Sequence, residues 1–252
     1  MIEVKNLTKS FLEAGNKRVV LDNISFIIPD QKIFAIVGLS GCGKSTLVKL
    51  LLGLLKPDSG DIMIDETTSD QFNKLNKIQP VFQNNYKLLN PLRSIGNTLF
   101  EVAKKFNHDN KFVYEYLTKL DLPKSILDKK GYQLSGGEQQ RIAFLRVLIA
   151  DPDTFILDEI FSAQDEKSKQ TISQLIVELN KEKGKTIIIV SHNLSLIKEI
   201  ADDAIILFKG NIVERGDLKK LFNNPTHDYT KLLIKSENYE LTQEDLKTVD
   251  LI

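Results

Sequence analysis

Two glycine-bearing stretches in this 252-residue chain have the residue types and spacing to hold anions. The first, Gly38-Leu39-Ser40-Gly41-Cys42-Gly43-Lys44-Ser45-Thr46, follows the pattern Gly-x-x-x-x-Gly-Lys-Ser. Gly38, Gly41 and Gly43 let the backbone curl until several N–H groups point inward at phosphate oxygens. Lys44 supplies a cation to the β- and γ-phosphates of a nucleoside triphosphate, and Ser45 supplies a hydroxyl oxygen to Mg²⁺, a hard ion that wants oxygen ligands. Leu39, Ser40, Cys42 and Thr46 fall inside the same cradle, with Cys42 as a filler whose backbone alone matters. The bland alternative is a glycine turn between a strand and a helix. The second stretch is Leu134-Ser135-Gly136-Gly137-Glu138-Gln139-Gln140-Arg141. A serine and two glycines at a helix start put bare N–H groups and a hydroxyl where they can grip an anion. If both stretches serve one nucleotide, they meet when two chains face each other.

Carboxylates follow the second stretch. Phe155-Ile156-Leu157-Asp158-Glu159 reads as a buried strand ending in two acids. Asp158 is suited to reach Mg²⁺ through its water shell, and Glu159 to polarise an attacking water as general base. Two surface acids at a strand end are the plain alternative. Ser191-His192 follows another apolar run, so His192 lies at the carboxyl end of a strand, the ligand side of an open α/β sheet. It could hydrogen-bond the γ-phosphate or hold the attacking water, or simply cap a helix. Gln83 offers a carbonyl oxygen to Mg²⁺ and an amide to water, a weak signal by itself. The Phe11 ring reads equally as an adenine platform or a core residue. Asp165 reads as an ordinary helix N-cap.

These residues need elements to carry them. Ile2 to Leu7, Val19 to Leu21, Ile24 to Ile28, Ile33 to Val37 and Asp61 to Asp65 read as strands, and Lys44 to Leu54 as the helix after the glycine loop. From about 90 to 150 the pattern turns helical, with Ile95, Leu99, Val102 and Phe106 at helical spacing. That block reads as a helical subdomain inserted into an α/β core. Thr154 to Leu157, Thr186 to Val190 and Ala204 to Phe208 are compact apolar runs, as strands covered on both faces should be, and Ser168 to Leu179 and Leu194 to Ile200 are the helices between them. Residues 236–252 read as a loose tail or a short exposed helix. With 34 basic and 34 acidic residues, no basic excess points to nucleic acid. One cysteine excludes an internal disulfide and a zinc cluster and fits a reducing cytosol. No secretory signal and no run of about 18 apolar residues is present, so membrane association is expected through a partner.

Taken in order, the glycine loop, Gln83, Leu134–Arg141, Asp158-Glu159, Asp165 and His192 resemble the ATP-binding subunit of an ATP-binding-cassette (ABC) transporter, from about residue 2 to 235. The resemblance implies an α/β fold: a P-loop NTPase core, mostly parallel sheet plus an N-terminal antiparallel β part, with the inserted helical subdomain. The cassette is expected over 1–235 with a tail over 236–252. ATP and Mg²⁺ are the implied cofactors. Two cassettes would pair head to tail and sandwich ATP, so that Ser135, Gly136, Gly137 and Glu138 of one chain face the nucleotide on the other. Ser135 and Gly137 would contact its γ-phosphate. By the same resemblance Phe11 stacks adenine, Gln83 binds metal and couples to the membrane partner, His192 is the switch residue, and Asp165 joins the nucleotide-binding set.

Leu89-Asn90-Pro91-Leu92-Arg93-Ser94-Ile95-Gly96 is similar to the Leu-Asn-Pro segment of the peptide/nickel importer branch, and Asn224-Pro225-Thr226-His227-Asp228-Tyr229-Thr230-Lys231-Leu232-Leu233 to its tail motif, with Asp228 where that motif has proline. The implied cargo is an oligopeptide, a dipeptide, or nickel or a related metal chelate, with the short C-terminus tilting to the metal side. The implied partners are a second cassette (a different chain, with a homodimer left open), integral membrane permease subunits and, indirectly, an extracytoplasmic solute-binding protein. The implied location is peripheral, on the cytoplasmic face of the cell membrane. An exporter cassette and a soluble non-transport ABC ATPase are the rivals. Gln164 departs from the family's leucine, Ile160 and Phe161 from its proline and small or β-branched residue, Asp30-Gln31 from its Gly-Glu turn, and Asn193 from its aspartate. None removes a phosphate, metal or base group; they bear on turnover.

Overall fold

A computed structural model describes residues 1–13, 15–65, 67–68, 77–82, 90–162, 164–191 and 194–237. The chain forms two compact units, one from Met1–Asn73 with Ile188–Ile252 and one from Lys74–Ile187.

The first unit opens with β1 (Ile2–Glu13) and β2 (Asn16–Ile28), an antiparallel pair. The alternation breaks where Asn6 and Asn23 adopt left-handed backbone, at φ 46° and 49°. Asparagine tolerates that region better than most residues; across the pair, Asn6 Oδ1 accepts from Ser25 Oγ at 3.0 Å. The register slips there, and the two short strands expected at Val19–Leu21 and Ile24–Ile28 are one bulged strand. Next come β3 (Ile33–Val37), α1 (Lys44–Leu51), β4 (Ser59–Ile64) and β5 (Thr67–Thr68). The order β2-β1-β4-β5 makes the antiparallel N-terminal sheet.

In the second unit the first described element is β6 (Ile78–Val81). It continues through α2 (Ile95–Lys105), α3 (Asn110–Lys119), two short 3-10 turns (Lys124–Asp128 and Gly131–Gln133), α4 (Gly136–Ala150), β7 (Thr154–Asp158) and α5 (Glu166–Lys181). β6 and β7 are parallel, Ile78 opposite Thr154 and Val81 opposite Leu157. Leu99, Ala103, Val113, Leu117, Ile142, Phe144 and Leu148 are buried, and the Phe144 ring meets Phe155 edge-on at 6.5 Å. Each such large apolar side chain contributes about 1.5–3 kcal/mol by leaving water. The helical periodicity read over 90–150 is this face.

β8 (Thr186–Ser191), buried at every residue, carries the chain back to the first unit. There follow α6 (Leu194–Ile200), β9 (Asp203–Phe208), β10 (Asn211–Asp217), α7 (Leu218–Asn223) and α8 (Asp228–Glu237). β3 runs parallel to β9, which carries β10 antiparallel on its other side. β3 is buried at all five residues, so its side chains are uniformly apolar rather than alternating. The fold is thus α/β, with one mostly parallel sheet and one antiparallel N-terminal sheet.

Candidate functional site

The glycine loop leaves the buried end of β3. A Cβ on Gly38 would lie 2.3 Å from the Leu207 carbonyl oxygen and 2.6 Å from Cys42 Sγ, so only glycine lets the loop press against β9. Gly43 caps α1 at φ 112°, a conformation L side chains avoid. No side chain caps that helix, and its first turn carries no acid. Its first N–H groups and the positive end of its dipole are therefore open to an anion. The Lys44 ammonium donates to the carbonyl oxygens of Gly38 (2.6 Å) and Leu39 (3.0 Å). An arriving phosphate competes for this cation with two neutral carbonyls. Ser45 is exposed one residue on. Cys42 is buried; burial pushes its thiol up, with the charge of Lys44 opposing.

The loop is anchored from the far end of the chain. Tyr229 on α8 is 3% exposed and packs on Phe208 with ring centroids 4.1 Å apart. Its hydroxyl oxygen accepts the Leu39 N–H at 2.8 Å. Burial pushes the phenol up to about 12, the Leu39 amide opposing. Tyr229 is itself held, because its N–H donates to His227 Nδ1 at 3.1 Å and Glu214 on β10 accepts the His227 N–H at 2.9 Å and both the N–H and the hydroxyl of Thr226. Burial works to raise the Glu214 pKa, yet the donors of Thr226 and His227 outweigh it, and the carboxyl lies below its ordinary value. In the sequence, Asn224–Leu233 stands out only as similar to a family tail motif, and neither Tyr229 nor Glu214 carries a role there. A buried tyrosine needs a partner for its hydroxyl, but that burial comes from tertiary packing and not from a local pattern.

The second anion-gripping stretch opens α4. Ser135 is the N-cap: its hydroxyl oxygen accepts the Glu138 N–H at 3.2 Å, and Glu138 accepts the Ser135 N–H at 2.7 Å. The Ser135 N–H bond, then Lys129 at 3.2 Å, holds the Glu138 carboxyl below its ordinary value. Glu138 is committed to this capping box. Ser135 accepts within the box, so its own proton can still be donated outward. Ser135 and Gly136 are exposed, and a Cβ on Gly136 would meet nothing within 4 Å. Among the described residues nothing demands glycine there, and its bare backbone leaves room for an outside group to come close.

At the end of β7, Asp158 and Glu159 are half-buried. Glu159 adopts left-handed backbone, φ 54°, which costs a non-glycine residue about 1–3 kcal/mol. Its carbonyl oxygen accepts from Gln140 Nε2 at 2.8 Å and Ser162 Oγ at 2.9 Å. Gln164 Nε2 donates to Gln140 Oε1 at 3.0 Å and to the Gly137 carbonyl at 3.2 Å. Neither Gln140 nor the contacts of Gln164 were anticipated. Ile160 and Phe161 are buried as core residues. Asp165 caps α5 by accepting the Ser168 N–H at 2.7 Å, a bond that also lowers its pKa. The helix therefore starts two residues before the expected Ser168.

Phe11 is 36% exposed with Lys9 5.5 Å from its ring centre, so the core reading is not adopted and its ring is open to stacking. Gln83 and His192 lie outside the described residues, as do Asn193 and residues 238–252. Among the described residues no group of three His, Cys, Asp or Glu could hold a metal alone. An ion at Ser45 or Asp158 would draw further ligands from phosphate and water, as Mg²⁺ does. The exposed hydroxyl beside an uncapped helix start fits that donor set. No helix among the described residues is long and apolar enough to cross a membrane.

Residues 21–162 match the family described as ABC transporter. The dipeptide transport ATP-binding protein DppF of Haemophilus influenzae is 35% identical over 227 residues, 86% of this chain and 69% of the relative. The oligopeptide transport ATP-binding protein OppD of Lactococcus lactis is 31% identical over 268 residues, covering 99% and 79%. The methionine import ATP-binding protein MetN of Mannheimia succiniciproducens is 33% identical over 245 residues, covering 94% and 70%. Among solved structures, the dimeric ATP-binding cassette MJ0796 in a post-hydrolysis state bound to ADP and Pi has a TM-score of 0.78 at 29% identity, covering 87% of this chain and 99% of the other.

Proposed function

This chain belongs to the ABC transporter family and is an ATPase, and we propose that it powers uptake of dipeptides or oligopeptides through membrane-embedded permease subunits. The observation that carries the mechanism is the Ser135 cap. A hydroxyl that accepts within the capping box, with its own proton left to donate, and an exposed Gly136 beside it give the chain a second anion grip besides the uncapped start of α1. We read the second grip as serving a nucleotide held by a partner cassette, so that closure of two chains depends on the γ-phosphate. The dimeric state of MJ0796 supports pairing. Whether the partner is a second copy or a different cassette is the finer question, and the branch resemblance favours a different one. The same resemblance supports a peripheral site on the cytoplasmic face, with a solute-binding protein outside.

In this reading the loop amides and Lys44 hold the β- and γ-phosphates, and Phe11 stacks adenine. Mg²⁺, when bound, neutralises phosphate charge and would be held by Ser45, Asp158 and Gln83. Glu159 takes a proton from the water that attacks the γ-phosphorus, and the β–γ bridging oxygen leaves with ADP. His192 orients that water against the γ-phosphate. Gln83 and the segment up to Gly96 pass the motion to the permease.

For cargo, the relatives named for dipeptide and oligopeptide transport support a peptide. The methionine import relative makes a single amino acid the second reading. The test is Glu159→Gln in the assembled transporter. Steady-state phosphate release should vanish while ATP binding and ATP-dependent pairing persist, and labelled dipeptide uptake into vesicles should stop with it. Normal turnover by that variant would refute the role of Glu159; ATP-driven uptake of nickel but not of peptide would refute the cargo.

A further inference from the structure

We propose that Gln164 is a positioning residue for the catalytic base, acting through Gln140 on the backbone of Glu159; this rests on Glu159 being that base. Two glutamine amides lie in series between two backbone carbonyls. At one end the Gly137 carbonyl can only accept, so the atom of Gln164 that faces it must be Nε2. The same nitrogen's second proton meets Gln140, which must present Oε1. Gln140 then has only Nε2 left for the Glu159 carbonyl, again a pure acceptor. One arrangement satisfies every contact, and Gln164 selects it.

The selection matters because of the backbone it steadies. Glu159 sits in left-handed conformation, and its carbonyl is held by Gln140 and by Ser162. A non-glycine residue stays in that region only when its surroundings fix it. An amide freed from Gln164 can rotate by half a turn and set Oε1 against the Glu159 carbonyl, replacing attraction by repulsion. Gln140 and Gln164 are both buried, so water is poorly placed to substitute. An apolar residue at 164 could not do this. The link also starts at Gly137, within the stretch assigned to the partner's nucleotide, and ends at the base serving the chain's own.

The test compares Gln164→Met, Gln164→Glu and Gln140→Met in the full chain assembled with its partners. Gln164→Met should lower kcat about five- to tenfold with KM for ATP within about twofold, the loss expected from one hydrogen bond that orients but does not bind. Gln164→Glu keeps the shape yet cannot donate when ionised, and forces Gln140 to turn; it should be at least as slow. In a Gln140→Met background, Gln164→Met should add nothing. Without nucleotide, amide exchange over residues 157–164 should quicken in Gln164→Met while the phosphate loop stays unchanged. Wild-type kcat in Gln164→Met, additive losses, or unchanged exchange over 157–164 would overturn the inference. Normal turnover by Glu159→Gln would instead sink the base assignment, and the exchange measurement would still decide whether Gln164 steadies Glu159.

Discussion

Replacing Tyr229 with phenylalanine removes one oxygen atom and tests whether α8 braces the phosphate loop. The ring stays against Phe208, so packing is retained, and the Leu39 N–H loses its acceptor. A net hydrogen bond is worth about 0.5–1.5 kcal/mol, and a buried amide left unpaired costs about 1–3. The Leu39 side chain is half exposed, so water can reach the neighbourhood and the lower part of that range applies. We expect unfolding in urea to become easier by about 1 kcal/mol, and ATP to bind up to about fivefold more weakly because the Gly38–Leu39 peptide, whose Gly38 carbonyl accepts from Lys44, is no longer pinned. Equilibrium unfolding and a fluorescent-nucleotide titration measure the two. The control is Leu233→Ala on the same helix, buried but not in contact with the loop in any hydrogen bond. It should destabilise by about 2–5 kcal/mol and leave affinity in the folded protein unchanged. Unchanged affinity and stability in Tyr229→Phe would refute the brace; equal affinity losses in both variants would show that α8 acts only through general stability.

Lys44→Ala should weaken ATP binding about ten- to hundredfold, the loss of charge-assisted bonds to phosphate, as read by calorimetry. Acid should loosen the Thr226–Tyr229 turn. The Glu214 carboxyl is lowered from 4.5, so its stabilisation is complete above the unfolded value and disappears as pH falls through the lower folded value. The urea midpoint should therefore drop below about pH 4.5, and Glu214→Gln should flatten that part of the pH curve.

The phosphate loop and its flanks were legible because local rules decide them: β3 is an unbroken apolar run, and the glycines sit where the backbone requires them. β7, β8 and β9 were legible as buried runs, and α6 fell where it was expected, at Leu194–Ile200. β6 was not read, because Pro80 interrupts a four-residue run; proline is accommodated in a strand whose N–H is not needed by the ladder. The two asparagines of the first hairpin hid a single strand behind a slipped register. What no local pattern could reveal are the braces. Tyr229 and Leu39 are 190 residues apart in sequence, and Gln164 and Gln140 are 24 apart. Such pairs depend on which faces the tertiary packing brings together.

Cys42 is the chain's single sulfhydryl, and it is buried with its ionisation suppressed. Maleimide dyes react with thiolates at accessible positions, so the native residue should stay silent. A cysteine placed at exposed Leu92 or Tyr132 would then be the sole attachment point for a reporter. The protein comes with its own unreactive background for spectroscopy, and its conformational cycle can be followed by fluorescence without editing the nucleotide cradle.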